Sequence, residues 1–392
     1  MSTGQSSSEQ IDFPLIHSGY VNSLSRYYGQ TRPSLRIRLE RVLILVAVTW
    51  LPLLVLSLLS GHTFAGKVPV PLIHDPALSG RLLFVLPVLE LAEAMVAISL
   101  PIQIRHFTTS QIVPANQKPQ FETILNEVLK LRSSVYVELL IGVTALVSGV
   151  IFHRVVFQDI SPSWEHDSTT TPAGWYYALV SLPILYFFVL RWLWIFGLWG
   201  WFLFRVSQLD LQLTPTHPDH AGGLGFLGWG LASFSGVVMA ISAMFSSAVF
   251  YEIIHKNQSI ETMKYHLMIF VIITLSLVHA PLLVFFWRMS RCRFLGLLEF
   301  SSLVLRYDRA FEEKWIEKRS GEPAENLLGT PDVQSLVDIA RGYEHVTEMW
   351  LLPFDMTGIM VLVGAALIPM LPLLGTALPL NAILTKLAEL MI

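Results

Sequence analysis

Charge is scarce in this chain and cysteine almost absent. Only 14% of the 392 residues are Asp, Glu, Lys or Arg, against about 25% in a soluble domain. The single cysteine, Cys292, excludes an intrachain disulfide and reads as a packing thiol. Net charge is −3 at pH 7, so nothing in the balance invites a nucleic-acid partner. A Walker motif, a serine nucleophile elbow and an H-E-x-x-H pair are all missing. Energy coupling by nucleotide hydrolysis is therefore unsupported, and the balance tilts away from an enzyme. No cleavable leader is visible, because the first apolar run follows 41 polar, arginine-bearing residues. Nor is there the internal repeat that inverted-repeat transporters show.

The chain is instead 53% hydrophobic, and its apolar residues gather into long uncharged blocks. A hydrocarbon layer of roughly 30 Å is crossed by about 20 helical residues. Seven stretches meet that length, near 42–60, 82–104, 134–153, 174–196, 229–251, 266–287 and 356–374. The expected fold is an all-α membrane protein, a bundle of about seven transmembrane helices with a cytoplasmic helical extension.

Basic residues set the expected orientation. Arg26, Arg32, Arg36, Arg38 and Arg41 precede the first span. Arg105, Lys118, Lys130 and Arg132 fill the second connection, and nine more run from Arg288 to Arg341. The alternate connections and the tail hold only Lys67, Arg81, Arg154, Lys256, Lys264 and Lys386. The N-terminus is expected in the cytoplasm and the C-terminus in the periplasm. Residues 1–41 form a cytoplasmic segment. Residues 42–287 carry spans one to six, with a cytoplasmic hinge at 213–230. Residues 288–354 form a charged helical hairpin, and 355–392 hold the last span and a short amphipathic outer tail.

Several helix signals are local. FETILNEVLKL, from Phe121, places Phe121, Ile124, Leu125, Val128 and Leu129 on one face, and this helix can flow into the third span. The sixth span continues past Arg288, with a kink expected at Pro281. Thr330, Pro331 and Asp332 read as a helix start; Val333, Leu336, Val337, Ala340 and Tyr343 form the apolar face behind it. GEPAENLLG is the loop between the two hairpin helices. These faces must bury against each other or against a neighbouring subunit, and the second choice would make the protein a homo-oligomer.

Candidate chemistry concentrates in LTPTHPDHAGGLGFLGWG, residues 213–230. His217, Asp219 and His220 are ordinary metal-ligand types, although such close neighbours also suit a structural turn. No cofactor is required, and a metal ion is the one candidate. Gly222, Gly223 and Gly225 precede a helix N-terminus, a combination suited to a hinge or to binding an anion through backbone amides. Small residues continue into the fifth span, which reads as a central, closely packed helix. Within the spans, Glu90 and Glu93 lie three apart on one helical face. They invite a proton or a cation, or a structural pairing. Arg191 either snorkels or pairs with Glu138. His279 precedes the Pro281 kink and is most simply held by a hydrogen bond.

LTPTHPDHAGGLGFLG, together with DVQSLVDIARGYEHVTEMWLLPF, resembles uncharacterised bacterial multi-pass inner-membrane proteins carrying an LTPTHPDxAGGLGFL-type motif. The resemblance implies a bacterial inner membrane and no activity, so it transfers no catalytic residue. The leading expectation is an ion channel or small-solute permeation protein in a lipid bilayer. The alternatives are a metal-dependent membrane enzyme acting on a lipid or phosphorylated substrate, and a membrane sensor or scaffold.

Overall fold

A computed structural model describes residues 35–156, 162–167, 169–256, 258–317 and 331–377. Most of the N-terminal segment, the GEPAENLLG loop, Thr330 and the tail LNAILTKLAELMI lie outside them. Among the described residues the chain is helical, without strands. The principal helices are α1 (Leu35–Ser60), α2 (Pro76–Thr109), α3 (Lys118–Arg132) and α4 (Val135–Val156). They continue with α5 (Pro172–Ser207), α6 (Gly225–Lys256) and α7 (Ile260–Ile316). α8 (Pro331–Glu348) and α9 (Met356–Gly375) complete the chain.

Six of these helices are long and apolar enough to cross a membrane, or up to seven if the bent pair α3–α4 is one span. That pair bends by 44° at its break. The amphipathic α3 thus does not run straight into the apolar α4. Ser133 caps the end of α3, its amide bonding to Leu129 O.

Several helices start where local chemistry says they should. The Asp75 carboxylate accepts from the amides of Ala77 (2.9 Å) and Leu78 (3.0 Å), with Pro76 in the first turn. Helix α2 therefore begins six residues before the expected span at 82. Thr171 caps α5 through Gly174 N at 3.0 Å, again followed by proline. Ser259 caps α7 and Asp355 caps α9.

Contacts sort the helix ends into two layers. At one end the Arg288 guanidinium on α7 donates to Ser207 O and Gln208 O, and the Trp350 amide bonds His220 O. At the other, the Trp164 amide bonds Val70 O and a ring nitrogen of His255 lies 3.1 Å from His74 O. The first is here the elbow end, the second the far end.

Helix α6 sits between α2 and α9. A Cβ on Gly236 would lie 2.8 Å from Ala92 Cβ, and one on Gly80 would lie 2.6 Å from Ser247 Cβ. The Ser242 and Ser246 hydroxyls donate to Ala366 O and Pro369 O of the last helix. At the elbow end a Cβ on Gly228 would meet Pro353 O at 2.4 Å, and one on Gly358 would meet Gly228 O at 2.7 Å. Small side chains let these backbones touch, and apolar helices packed in lipid depend on such contact.

Helix α7 passes through a tighter 3₁₀ stretch, Ala280–Phe285, at Pro281, then runs on to Ile316. α8 folds back on it. Asp332 accepts from Lys314 Nζ (2.7 Å) and Trp315 Nε1 (3.1 Å), and the Tyr307 hydroxyl donates to Asp332 O. Those two donors hold the half-buried Asp332 carboxyl below its ordinary range. The face of α8 turned inward runs Leu336–Ile339–Tyr343–Val346, while Val333 and Val337 are exposed. The contact stripe is thus rotated from the expected one, because Gly342 and Val346 are the positions that fit against Phe300 and Gly296.

Candidate functional site

The elbow forms around one carboxylate. Asp219 Oδ1 accepts from Ala221 N (2.8 Å) and Gly223 N (3.1 Å), and Oδ2 from Gly225 N (2.8 Å). His217 Nδ1 lies 2.8 Å from Oδ1. To wrap the amides inward the chain takes positive φ at His220 (52°), Gly222 (66°) and Gly223 (97°), which glycine adopts without a Cβ clash. The amides of Gly223 and Gly225 are therefore engaged by the chain's own anion at the start of α6. Burial alone would raise the Asp219 pKa. The three amides and His217 outweigh it, and the carboxyl titrates below its ordinary range.

The elbow is clasped by the helical hairpin. The Cys292 thiol lies 3.6 Å from Leu213 O, Gly296 faces Pro215, and Arg293 donates to Thr347 O at 2.6 Å. His217 and Asp219 pair with each other. His220 turns instead toward α8, where His345 and Glu348 meet it. His345 stands 125 residues from His220 in the sequence, and the fold-back of α8 brings it to the elbow.

A second constellation lies deeper, in the apolar layer. Glu90 and Glu93 of α2 are both buried. The Arg191 guanidinium of α5 donates to Glu93 Oε1 at 3.0 Å, and Arg41 of α1 approaches Glu90 Oε1 at 3.9 Å. Arg191 thus pairs with Glu93, whereas the sequence pointed to snorkelling or to Glu138. Arg132, buried at the α3–α4 break, lies in the fields of Glu93, Glu138 and Arg191. His279 is held in place, with Nδ1 2.8 Å from Leu275 O and its ring against Phe354.

A third constellation, at the far end, carries no sequence motif. Arg81 donates to the Tyr177 hydroxyl at 3.1 Å, and Trp164 Nε1 donates to Asp75 Oδ2 at 2.9 Å. Glu165 is buried beside them with Oε2 lacking a hydrogen-bond partner. Arg81 and Tyr177 both stand in π-type turns, at Gly80–Val85 and Tyr177–Ser181, widened turns often found at functional positions. Sequence reasoning missed this group because its members come from two loops and two helix starts. The adjacent Trp164 and Glu165 were the one available hint.

Burial first, and Asp75 next, push Glu165 well above the ordinary carboxylate range, against the pull of Arg81. A raised folded pKa means that the folded chain holds a proton which the unfolded chain releases near pH 4.5. Stability from this group is present at low pH and is lost as pH climbs from there toward the folded value. Thermal unfolding in detergent should show that decline, and Glu165→Gln should flatten it. An unchanged slope in the variant would place the pH dependence elsewhere.

No family model matches this chain, and no curated protein or solved structure matches it either.

Proposed function

We propose that the chain is an integral membrane protein that passes protons or a small cation, as a homo-oligomer in a bacterial inner membrane. One observation carries this reading: Glu90 and Glu93 are buried within the apolar layer, faced by arginines from two other helices. Ionised groups there are expensive and are usually retained for ion or proton pathways. The far-end cluster adds support. Arg81 and Glu90 lie nine residues apart on α2, about 13.5 Å along a helix at 1.5 Å per residue, so one helix carries charge at two depths. In this reading the elbow, bonded to the hairpin, relays cytoplasmic events to α6.

The test is flux. Purified protein in liposomes, loaded with a pH-sensitive or cation-sensitive dye, should dissipate an imposed gradient faster than empty vesicles. Glu90→Gln with Glu93→Gln should reduce that rate at least tenfold; an unchanged rate would remove both residues from the pathway. The orientation is checked by reporter fusions, with Met1 expected inside and Ile392 outside.

A second reading is a membrane sensor or scaffold. It draws on the hairpin, where Phe294, Leu298 and Leu305 stay exposed on a helix reaching well past its apolar stretch. Capture of a cytoplasmic partner that needs residues 288–354, with no flux, would favour it.

A further inference from the structure

We propose that His220, His345 and Glu348 form a site for one divalent transition-metal ion, of the zinc class, clipping the elbow to α8. Their ligand atoms all lie within 4.8 Å of one another. His345 and Glu348 are three apart on α8, so one helical face presents both. His220 comes from the other side, from the elbow. Its Nδ1 is buried, has no hydrogen-bond partner, and lies 3.8 Å from Glu348 Oε2. The two imidazoles stand 5.8 Å apart, centre to centre, tilted by 39°.

Two imidazoles and a carboxylate are a donor set that suits zinc, leaving a fourth position for water or a substrate atom. With bonds of about 2.0–2.1 Å, tetrahedral donors sit about 3.4 Å apart. The present spacing is wider by little more than an ångström, and the Glu348 side chain, 63% exposed, is free to swing inward. The backbone is already shaped for the contact. Left-handed φ at His220 aims its ring at α8, while the Trp350 amide ties His220 O to the chain just past α8 at 2.7 Å. His217 is not among the three side chains that converge here; it faces Asp219, with its Nδ1 2.8 Å from Oδ1.

An ion held here would join the turn that opens α6 to the last turn of α8, seven residues before Asp355 caps α9. Both helices that flank the small-residue crossing at Gly228 and Gly358 would then be tethered through one ion.

The experiment uses full-length, tag-free protein in detergent, stripped with a chelator and titrated with Zn²⁺, and with Co²⁺ as a coloured substitute. About one Zn²⁺ per chain should survive gel filtration, and unfolding should shift upward with Zn²⁺ concentration. His345→Ala and Glu348→Gln, on the surface of α8, should each weaken binding at least tenfold, with helix content and elution volume unchanged. His217→Ala should bind as the parent does. Failure to bind Zn²⁺ at 100-fold excess over protein would overturn the proposal, as would parental affinity in His345→Ala. Equal losses in His217→Ala and His345→Ala would also overturn it, by placing the ion in the turn around Asp219.

Discussion

Arg191→Ala should cost about 3–5 kcal/mol of stability, the usual loss when one partner of a buried ion pair is removed. The Glu93 and Arg191 side chains are only 10% and 19% exposed, and the bond between them is 3.0 Å. Removing the guanidinium strands a carboxylate among apolar helices, with Arg132 as the positive charge still in its field. The cost is therefore that of an uncompensated charge rather than of one lost hydrogen bond. The distinction is measurable. Glu93→Gln combined with Arg191→Ala should recover most of the loss, because neither side of the pair is then charged. Unfolding in detergent of the two single variants and the double variant completes the cycle. A loss below about 1 kcal/mol in Arg191→Ala, the range of exposed pairs, would show that water already reaches Glu93 from the bundle interior.

Asp219→Ala should cost about 3 kcal/mol, because three amides lose a charged acceptor at once. Hydrogen bonds to charged groups contribute about 1.5–3 kcal/mol each, but these share one carboxylate and do not add in full. The Asp219 side chain is 21% exposed, so water replaces part of what is lost. Asp219→Asn keeps one oxygen acceptor and should lose about half as much. The pH dependence has a fixed sign. The folded pKa lies below the ordinary 3.8, so this stabilisation is complete above that value and disappears as pH falls through the folded one. Thermal unfolding should therefore show parent and Asp219→Ala converging only in strong acid. If Asp219→Ala melts with the parent at neutral pH, the elbow is held by its contacts with α7 and α8, and the carboxylate is incidental.

Helix positions were readable because they depend on near neighbours. An apolar run long enough to cross a lipid layer, and an Asp or Thr followed by Pro, act within a few residues of themselves. The seven expected stretches accordingly fall on α1, α2, α4, α5, α6, α7 and α9, and residues 331–348 are helical. Errors arose where a choice depended on a distant element. The stripe of α8 rotated to meet Gly296 and Phe300, and α3 broke from α4.

The functional candidates divide the same way. The sequence by itself determined that the chain would be helical, rich in apolar spans, and marked by two acids in one span and a glycine-rich elbow. Composition and period suffice for that, since partitioning and helical spacing are properties of short segments. Only the tertiary structure decided the partners: Arg191 with Glu93, His220 with His345, and Glu165 with Asp75 and Arg81. Pairing of charges is a matter of distance across helices, and that distance is set by which small residues let two backbones approach.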